Sequence, residues 1–123
     1  MKITPVLIVD AIEPLLPLWE AIGFNRTAEV PHGDRLGFVI LAAEGAEVMY
    51  QNVESVRADE PRALEDRGAS ALFVEVADLD ALAAKLPKGT NIIVPRRTTP
   101  YGATETFIRD AAGNTIIFAQ FAK

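Results

Sequence analysis

The chain has 123 residues, of which half are hydrophobic, so it is long enough for one domain with its own core and too apolar for a disordered segment. It contains no cysteine, which excludes disulfides, thiolate nucleophiles and zinc–thiolate sites. Its net charge is −5 and its longest basic run is Arg96-Arg97, which disfavours nucleic acid as a partner.

The apolar segments of the chain are short. The first of them follows Lys2 and ends at Asp10, which is shorter than a signal peptide requires and well below the ~20 apolar residues of a membrane span. The sequence therefore predicts no membrane partner and a cytoplasmic location.

Residues 1–53 predict one βαβββ unit. Its predicted elements are a strand over residues 3–9, a helix that begins near residues 12–14, and strands over residues 24–30, 36–41 and 46–53. The helix is predicted from apolar residues at helical spacing, among which Trp19 is expected to pack in the core. Residues 54–69 are polar and charged, and they predict a surface connector with one helical turn.

The same pattern is predicted again over residues 70–123. Its elements are a strand over residues 71–76, a helix capped by Asp78, and strands over residues 92–97, 104–109 and 115–121. Asp78 lies 68 residues after Asp10, and each follows a first strand and is expected to open a helix. Gly113 lies 68 residues after Gly45, and each opens a last strand. The chain is therefore predicted to be an α+β protein made of two tandem βαβββ units.

Three parts of the chain carry motifs in a specific order and spacing. They are Leu18-Trp19-Glu20-Ala21-Ile22-Gly23-Phe24 in the first unit, Asp78-Leu79-Asp80 at the second helix, and Pro100-Tyr101-Gly102-Ala103-Thr104-Glu105 followed by Arg109-Asp110-Ala111-Ala112-Gly113-Asn114. Together they resemble the glyoxalase/bleomycin resistance protein/dioxygenase superfamily, also called the vicinal oxygen chelate superfamily, over nearly the whole chain. The resemblance implies a homodimer with clefts on curved mixed sheets.

Metal-using members of that superfamily, such as glyoxalase I, carry His, Gln or Glu ligands on the first and last strands of each unit. The positions that correspond here are all apolar: Ile3, Met49, Ala71 and Ile117. Glu47 shares a strand face with Met49, but one carboxylate does not hold a transition metal. The single histidine, His32, lies in a predicted turn. We therefore predict neither a metal nor a cofactor.

No catalytic residue is predicted. The sequence has no cysteine that could act as a nucleophile, and its serines, Ser55 and Ser70, are expected to have no histidine nearby to activate them. Acid–base chemistry by a pair of carboxylates from Glu47, Glu75 and Glu105 is left open. The sequence thus favours a pocket over a reaction centre.

Alternation of side chains along the strands predicts which residues line the cleft, with apolar groups on its surface and carboxylates near its rim. The predicted ligand-binding residues are Glu47, Met49, Gln51, Phe73, Glu75, Tyr101, Glu105 and Ile117. Core packing is the alternative for Met49 and Phe73. An exposed strand end is the alternative for Glu75, and a pair with an arginine is the alternative for Glu105.

The preferred functional hypothesis follows from an apolar cleft with carboxylates. It is a metal-free protein, similar to the bleomycin-resistance proteins, that sequesters a cationic aromatic small molecule of antibiotic type without modifying it. Two alternatives are left open. One is a metal-dependent lyase or dioxygenase of the glyoxalase type, and the other is an interaction module with a vestigial cleft.

Overall fold

The structure is a computed structural model that describes residues 2–64 and 68–122. The chain forms two compact units, Met1–Gly68 and Ala69–Lys123, and each contains a four-stranded mixed sheet and helices. The predicted α+β fold of two βαβββ units is thereby confirmed. Within the described ranges, no helix is long and apolar enough to cross a bilayer.

The first unit has a sheet of strand order β1-β4-β3-β2. Its elements are β1 (Val6–Val9), a 3₁₀ turn (Glu13–Leu15), α1 (Leu16–Ala21), β2 (Asn25–His32), β3 (Arg35–Ala43), β4 (Ala46–Asn52), α2 (Val53–Asp59) and a second 3₁₀ turn (Pro61–Leu64). The β1–β4 pair is parallel and the other two pairs are antiparallel. The crossover through α1 is what allows the parallel pair, since a hairpin cannot join parallel strands.

The core of the first unit is centred on Trp19. The indole is buried, its ring meets Phe24 edge-to-face at 4.8 Å, and its Nε1–H donates to the Tyr50 hydroxyl at 3.1 Å. A buried indole N–H requires such an acceptor, because leaving it unpaired is costly. The predicted core position of Trp19 is confirmed.

The predicted connector over residues 54–69 is wrong in part, because the structure places a two-turn helix, α2, where one helical turn was expected. Asn52 caps this helix by accepting the Ser55 backbone N–H at 2.8 Å, which satisfies one of the free amides of the first turn. Only Val56 of the helix is buried, so its sequence lacks the apolar stripe from which helices are recognised. Residues 65–67 of the connector lie outside the described residues.

The second unit repeats the arrangement with sheet order β5-β8-β7-β6. Its elements are β5 (Ala71–Glu75), α3 (Leu79–Lys85), β6 (Asn91–Thr98), β7 (Ala103–Arg109) and β8 (Thr115–Phe121). The predicted cap is confirmed, since the Asp78 carboxylate accepts the Ala81 N–H at 3.0 Å. Leu79 and Leu82 of α3 are buried on the side of the sheet that also buries Ile108.

The two units match strand by strand, with one shift in register. Gly45 and Gly113 both adopt a positive φ, of 75° and 86°, at the turns before the last strands. Val6 pairs with Met49 as Phe73 pairs with Ile117, and Phe38 pairs with Gln51 as Glu105 pairs with Ala119. The last strands are therefore offset by 68 residues, but the first and third strands are offset by 67. Asp10 is also not a helix cap, because Ile12 holds the cap position and the 3₁₀ turn that contains Pro14 opens the helix without a side-chain cap.

Candidate functional site

Three of the predicted site residues, Glu47, Met49 and Gln51, alternate along β4 and lie on one face of the first sheet. The opposite face of β4 is core, where Val48 and Tyr50 are buried. Met49 is partly exposed, so the structure places it on the face that was predicted to bind a ligand.

The polar groups on this face of the first unit are already engaged. Glu47 accepts a hydrogen bond from the Thr4 hydroxyl at 3.1 Å and pairs with the Lys2 ammonium at 3.0 Å, and these two donors lower its pKa, with Lys2 the stronger cause. The Gln51 amide donates to the Ser55 hydroxyl at 3.1 Å. Glu47 also borders a cavity of about 410 Å³ beside the β3–β4 turn, whose other lining residues are small, apolar or Lys2. The chain itself therefore balances the charge of Glu47.

The other predicted site residues lie in the second unit. Phe73 pairs with Ile117, and Glu75 and Glu105 pair with Ala119 from the two sides of β8. Residues that pair across neighbouring strands share a sheet face. We call this surface the aromatic face; its residues are Phe73, Glu75, Arg97, Glu105, Phe107, Ile117, Ala119 and Phe121.

Exposed aromatic rings gather on the aromatic face. The Phe121 ring lies 6.3 Å from Phe73 and 6.2 Å from Tyr101, which folds back over the sheet from the loop before β7. Phe73, Tyr101 and Phe121 are 51%, 57% and 38% exposed. Core packing, the alternative for Phe73, is therefore not what the structure shows. Three neighbouring exposed rings thus form an apolar surface on the second unit.

A buried carboxylate lies beside these rings. Glu105 is only 1% exposed; its Oε1 accepts a hydrogen bond from Arg97 Nε at 2.9 Å and lies 2.8 Å from Arg97 Nη2 in an ion pair. Its Oε2 accepts the Tyr101 hydroxyl at 2.6 Å. The Tyr101 bond is the largest cause that lowers the pKa of Glu105, and the Arg97 bond is the next. The arginine pair that was the alternative for Glu105 is thus present in the structure.

Replacing Tyr101 with phenylalanine is expected to raise the pKa of Glu105 toward its ordinary value. Because the folded-state pKa of Glu105 is lowered, its stabilising contribution is present above pH 4.5 and is lost as the pH falls through that pKa. The stability difference between wild type and Tyr101→Phe should therefore shrink on acidification. The pKa of Tyr101 is itself raised by its bond to Glu105, so on the alkaline side the contribution disappears as the pH rises through that pKa. Carboxyl ¹³C NMR titration measures the shift, and an unchanged Glu105 pKa in the variant would contradict it.

Three residues of the aromatic face were not predicted from the sequence: Arg97, Phe107 and Phe121. Phe107 and Phe121 follow from alternation, since they lie two residues from Glu105 and four from Ile117. Arg97 does not follow from alternation. A β-bulge between Val94 and Arg97 brings it opposite Glu105, and the guanidinium lies over the Phe107 ring at 4.6 Å.

The four positions that correspond to metal ligands in the superfamily do not fit a metal. The sheet register makes Thr4, not Ile3, the first of these four positions. Thr4 stands two residues before Val6, and its hydroxyl reaches Glu47. The other three residues are Met49, Ala71 and Ile117. None of the four has an imidazole or carboxylate, the groups that bind zinc, nickel, iron or manganese in proteins. In residues 2–64 and 68–122, no three acidic or histidine side chains are grouped so as to hold an ion.

The expectation that Ser55 has no histidine nearby is wrong. His32 and Ser55 lie on either side of Gly37: a Cβ atom added to Gly37 would be 2.7 Å from His32 Cβ and 3.3 Å from Ser55 Oγ. Sequence reasoning could not bring them together, because α2 was not predicted. No hydrogen bond joins His32 and Ser55, and the Ser55 hydroxyl is engaged by Gln51, so the two do not form a catalytic pair.

The profile of the glyoxalase/bleomycin resistance protein/dioxygenase superfamily matches residues 4–118. The chain belongs to this superfamily. No curated protein sequence is significantly similar to it. The fold is similar to that of TioX from Micromonospora sp. ML1, with 19% identity, 99% of each chain covered and a TM-score of 0.76.

Two further solved structures of the same fold lie in the same range of similarity. A glyoxalase/bleomycin resistance protein/dioxygenase from Nocardioides is 15% identical over 100% of this chain and 85% of its own, with a TM-score of 0.71. The protein VPC_CASS1 from the mobile metagenome of V. Pseudocholerae is 25% identical over 100% and 98% of the two chains, with a TM-score of 0.71. These likenesses support the fold of this superfamily member.

Proposed function

We propose that this superfamily member is a metal-free small-molecule-binding protein that holds a flat, cationic aromatic ligand on the aromatic face of its second unit and releases it unchanged. The observation that carries the proposal is the group of exposed rings, Phe73, Tyr101 and Phe121, beside the buried carboxylate of Glu105.

The apolar part of the ligand would lie against the rings. Three neighbouring aromatic side chains, whose rings are tilted to one another, offer an apolar surface against which a ring can pack, and Ile117 extends this surface along the sheet. Ligand sites generally combine such a surface with a small number of oriented polar groups. On the aromatic face these groups are Glu75, Glu105 and the Tyr101 hydroxyl.

The positive charge of the ligand would be met by carboxylates. Glu75 is exposed on the aromatic face, and its side chain has no hydrogen-bond or ion-pair partner among the described residues. Glu105 lies across β8 from it, is itself covered from water, and is paired with Arg97. Glu47 is likewise paired within the chain, with Lys2, so we assign the unpaired charge that meets the cation mainly to Glu75.

A binding role, rather than a reaction, accords with the side chains present. The superfamily's metal-ligand positions carry Thr4, Met49, Ala71 and Ile117, and the sequence has no cysteine nucleophile. We also propose that the protein works as a homodimer, as the resemblance to other members implies.

The test is a comparison of thermal shifts with three matched ring compounds: 10-methylacridinium as the cation, acridine as the neutral compound and anthracene-9-carboxylate as the anion. We expect 10-methylacridinium to give the largest shift, since a ligand at 100 times its Kd adds about 2.7 kcal/mol to the free energy of unfolding. Phe73→Ala should weaken binding of both the cation and the neutral ring, whereas Glu75→Gln should weaken only the cation and reduce its salt dependence.

Ile92→Ala is the matched control for Phe73→Ala. Ile92 is similarly exposed in the same unit but pairs with the buried Ile108, on the opposite face of the sheet. The control variant should bind all three compounds as wild type does. A larger shift with anthracene-9-carboxylate than with 10-methylacridinium, or no shift with any ring compound, would refute the proposal.

A further inference from the structure

We propose that Arg97 occupies a cation site that a ligand can enter, and that the site selects guanidinium or amidinium groups, which bind by displacing the Arg97 side chain. The inference rests on the proposed function, because it takes the aromatic face to be the ligand surface. It adds the position and the chemical class of the ligand's cationic group.

The contacts of the Arg97 guanidinium describe what the site recognises. Two of its nitrogens bind Glu105 Oε1 at 2.9 and 2.8 Å, and its carbon lies 4.6 Å above the centre of the Phe107 ring. A planar cation is therefore held by a carboxylate at its edge and by an aromatic ring at its face. These are the two interactions that select a guanidinium over a spherical ammonium ion.

The two partners of the ion pair differ in how firmly they are placed. The Glu105 side chain is 1% exposed and is fixed at its second oxygen by the Tyr101 hydroxyl, whereas the Arg97 side chain is 50% exposed. Arg97 lies on β6, the edge strand of the sheet. Its long side chain can move into water without disturbing the core, while Glu105 stays buried and requires a cation.

The first unit shows that the fold does not require an ion pair at this place. Val30 and Phe38 are the residues of the first unit that correspond to Arg97 and Glu105. Phe38 pairs with Val30 on one neighbouring strand and with Gln51 on the other. Glu105 pairs in the same way with Arg97 and Ala119. An apolar pair thus occupies the equivalent position on the second and third strands of the first sheet. Because an ion pair with one exposed partner contributes little to stability, Glu105 and Arg97 are better explained by binding than by folding.

The neighbouring arginine provides a matched control. Arg96 pairs with Asp80 at 2.6 Å, and both side chains are well exposed. Asp80 lies on α3, away from Glu105. A change at Arg96 therefore removes one positive charge from the same strand but leaves the proposed cation site filled.

The experiment is chemical rescue of Arg97→Ala by methylguanidinium, a probe without a ring. Arg97→Ala should melt lower than wild type, because Glu105 is left buried without a cation, and methylguanidinium should raise its melting temperature. The probe should bind Arg97→Ala at least about tenfold more tightly than wild type, in which only molecules with Arg97 displaced can bind it. Methylammonium should rescue less. Arg96→Ala should resemble wild type, and Arg97→Ala/Glu105→Gln should not respond.

Two outcomes would overturn the inference: equal responses to methylguanidinium in Arg97→Ala and in the double variant, or no response in either. If Arg97→Ala does not fold, the test is NMR of the Arg97 Nε–H signal in wild type. Methylguanidinium should move that signal toward the position of a solvated arginine. An unmoved signal would refute displacement of the Arg97 side chain. If methylguanidinium fails to rescue Arg97→Ala but the ring compounds still bind, the aromatic face is a ligand surface without the proposed cation site. Rescue without ring binding would refute the proposed function alone.

Discussion

Replacing Trp19 with alanine is expected to lower the free energy of unfolding by about 3–5 kcal/mol, the usual cost of emptying a large aromatic site in a core. The substitution removes the edge-to-face contact with Phe24 and the hydrogen bond to the Tyr50 hydroxyl, and it leaves a cavity between α1 and β4. Because domains of this size are stable by only about 5–15 kcal/mol, much of the stability of the first unit should be lost.

Trp19→Phe separates packing from the hydrogen bond. It keeps an aromatic ring next to Phe24 but leaves the Tyr50 hydroxyl without the indole donor, so its cost should be clearly smaller than that of Trp19→Ala. Urea denaturation followed by circular dichroism measures both variants. Equal stabilities for wild type and Trp19→Ala would show that the core of the first unit is not built around this residue.

Gly37→Ala is expected to cost about 1–3 kcal/mol, the range for overpacking in a filled region. A Cβ atom at Gly37 would lie 2.7 Å from His32 Cβ and 3.2 Å from Ser55 Cβ. Both contacts are to atoms next to the backbone, so either the end of β2 or the start of α2 must move. The loss should appear in urea denaturation and as chemical-shift changes around Ser55.

The control is Gly68→Ala, at a glycine where an added Cβ meets nothing within 4 Å and where φ is not in the left-handed region. Its stability should lie within about 0.5 kcal/mol of wild type, as is usual for surface substitutions. If both variants were equally neutral, α2 would not pack as closely on β3 as the structure indicates.

The two sheets carry different side chains at equivalent positions. Val30 and Phe38 in the first unit take the places of Arg97 and Glu105 in the second. The sheet pairing is the same, but only the second unit combines exposed rings with a buried charge. The two units therefore share a scaffold, and the polar recognition that we propose lies in the second alone.

Local patterns in the sequence predict the eight strands, α1 and α3, and the side chains that share a strand face. Strand alternation predicts that Phe73 and Ile117 share a sheet face, as their pairing shows, and that Met49 lies on the face of β4 opposite the core. The position of Asp78 before an apolar helix predicts its role as a cap. These features depend on residues that are close along the chain, where the period of the backbone fixes the direction of each side chain. The repeat was visible for the same reason.

The partners of the charged residues, in contrast, depend on how the strands pack together. Alternation from Val94 places Arg96 on the aromatic face, but the β-bulge turns Arg97 toward Glu105 instead and leaves Arg96 to pair with Asp80. Lys2 similarly neutralises Glu47 from a distant part of the sequence. Partner choice of this kind depends on strand order, on register and on one extra residue in a strand, none of which has a local signature in the sequence.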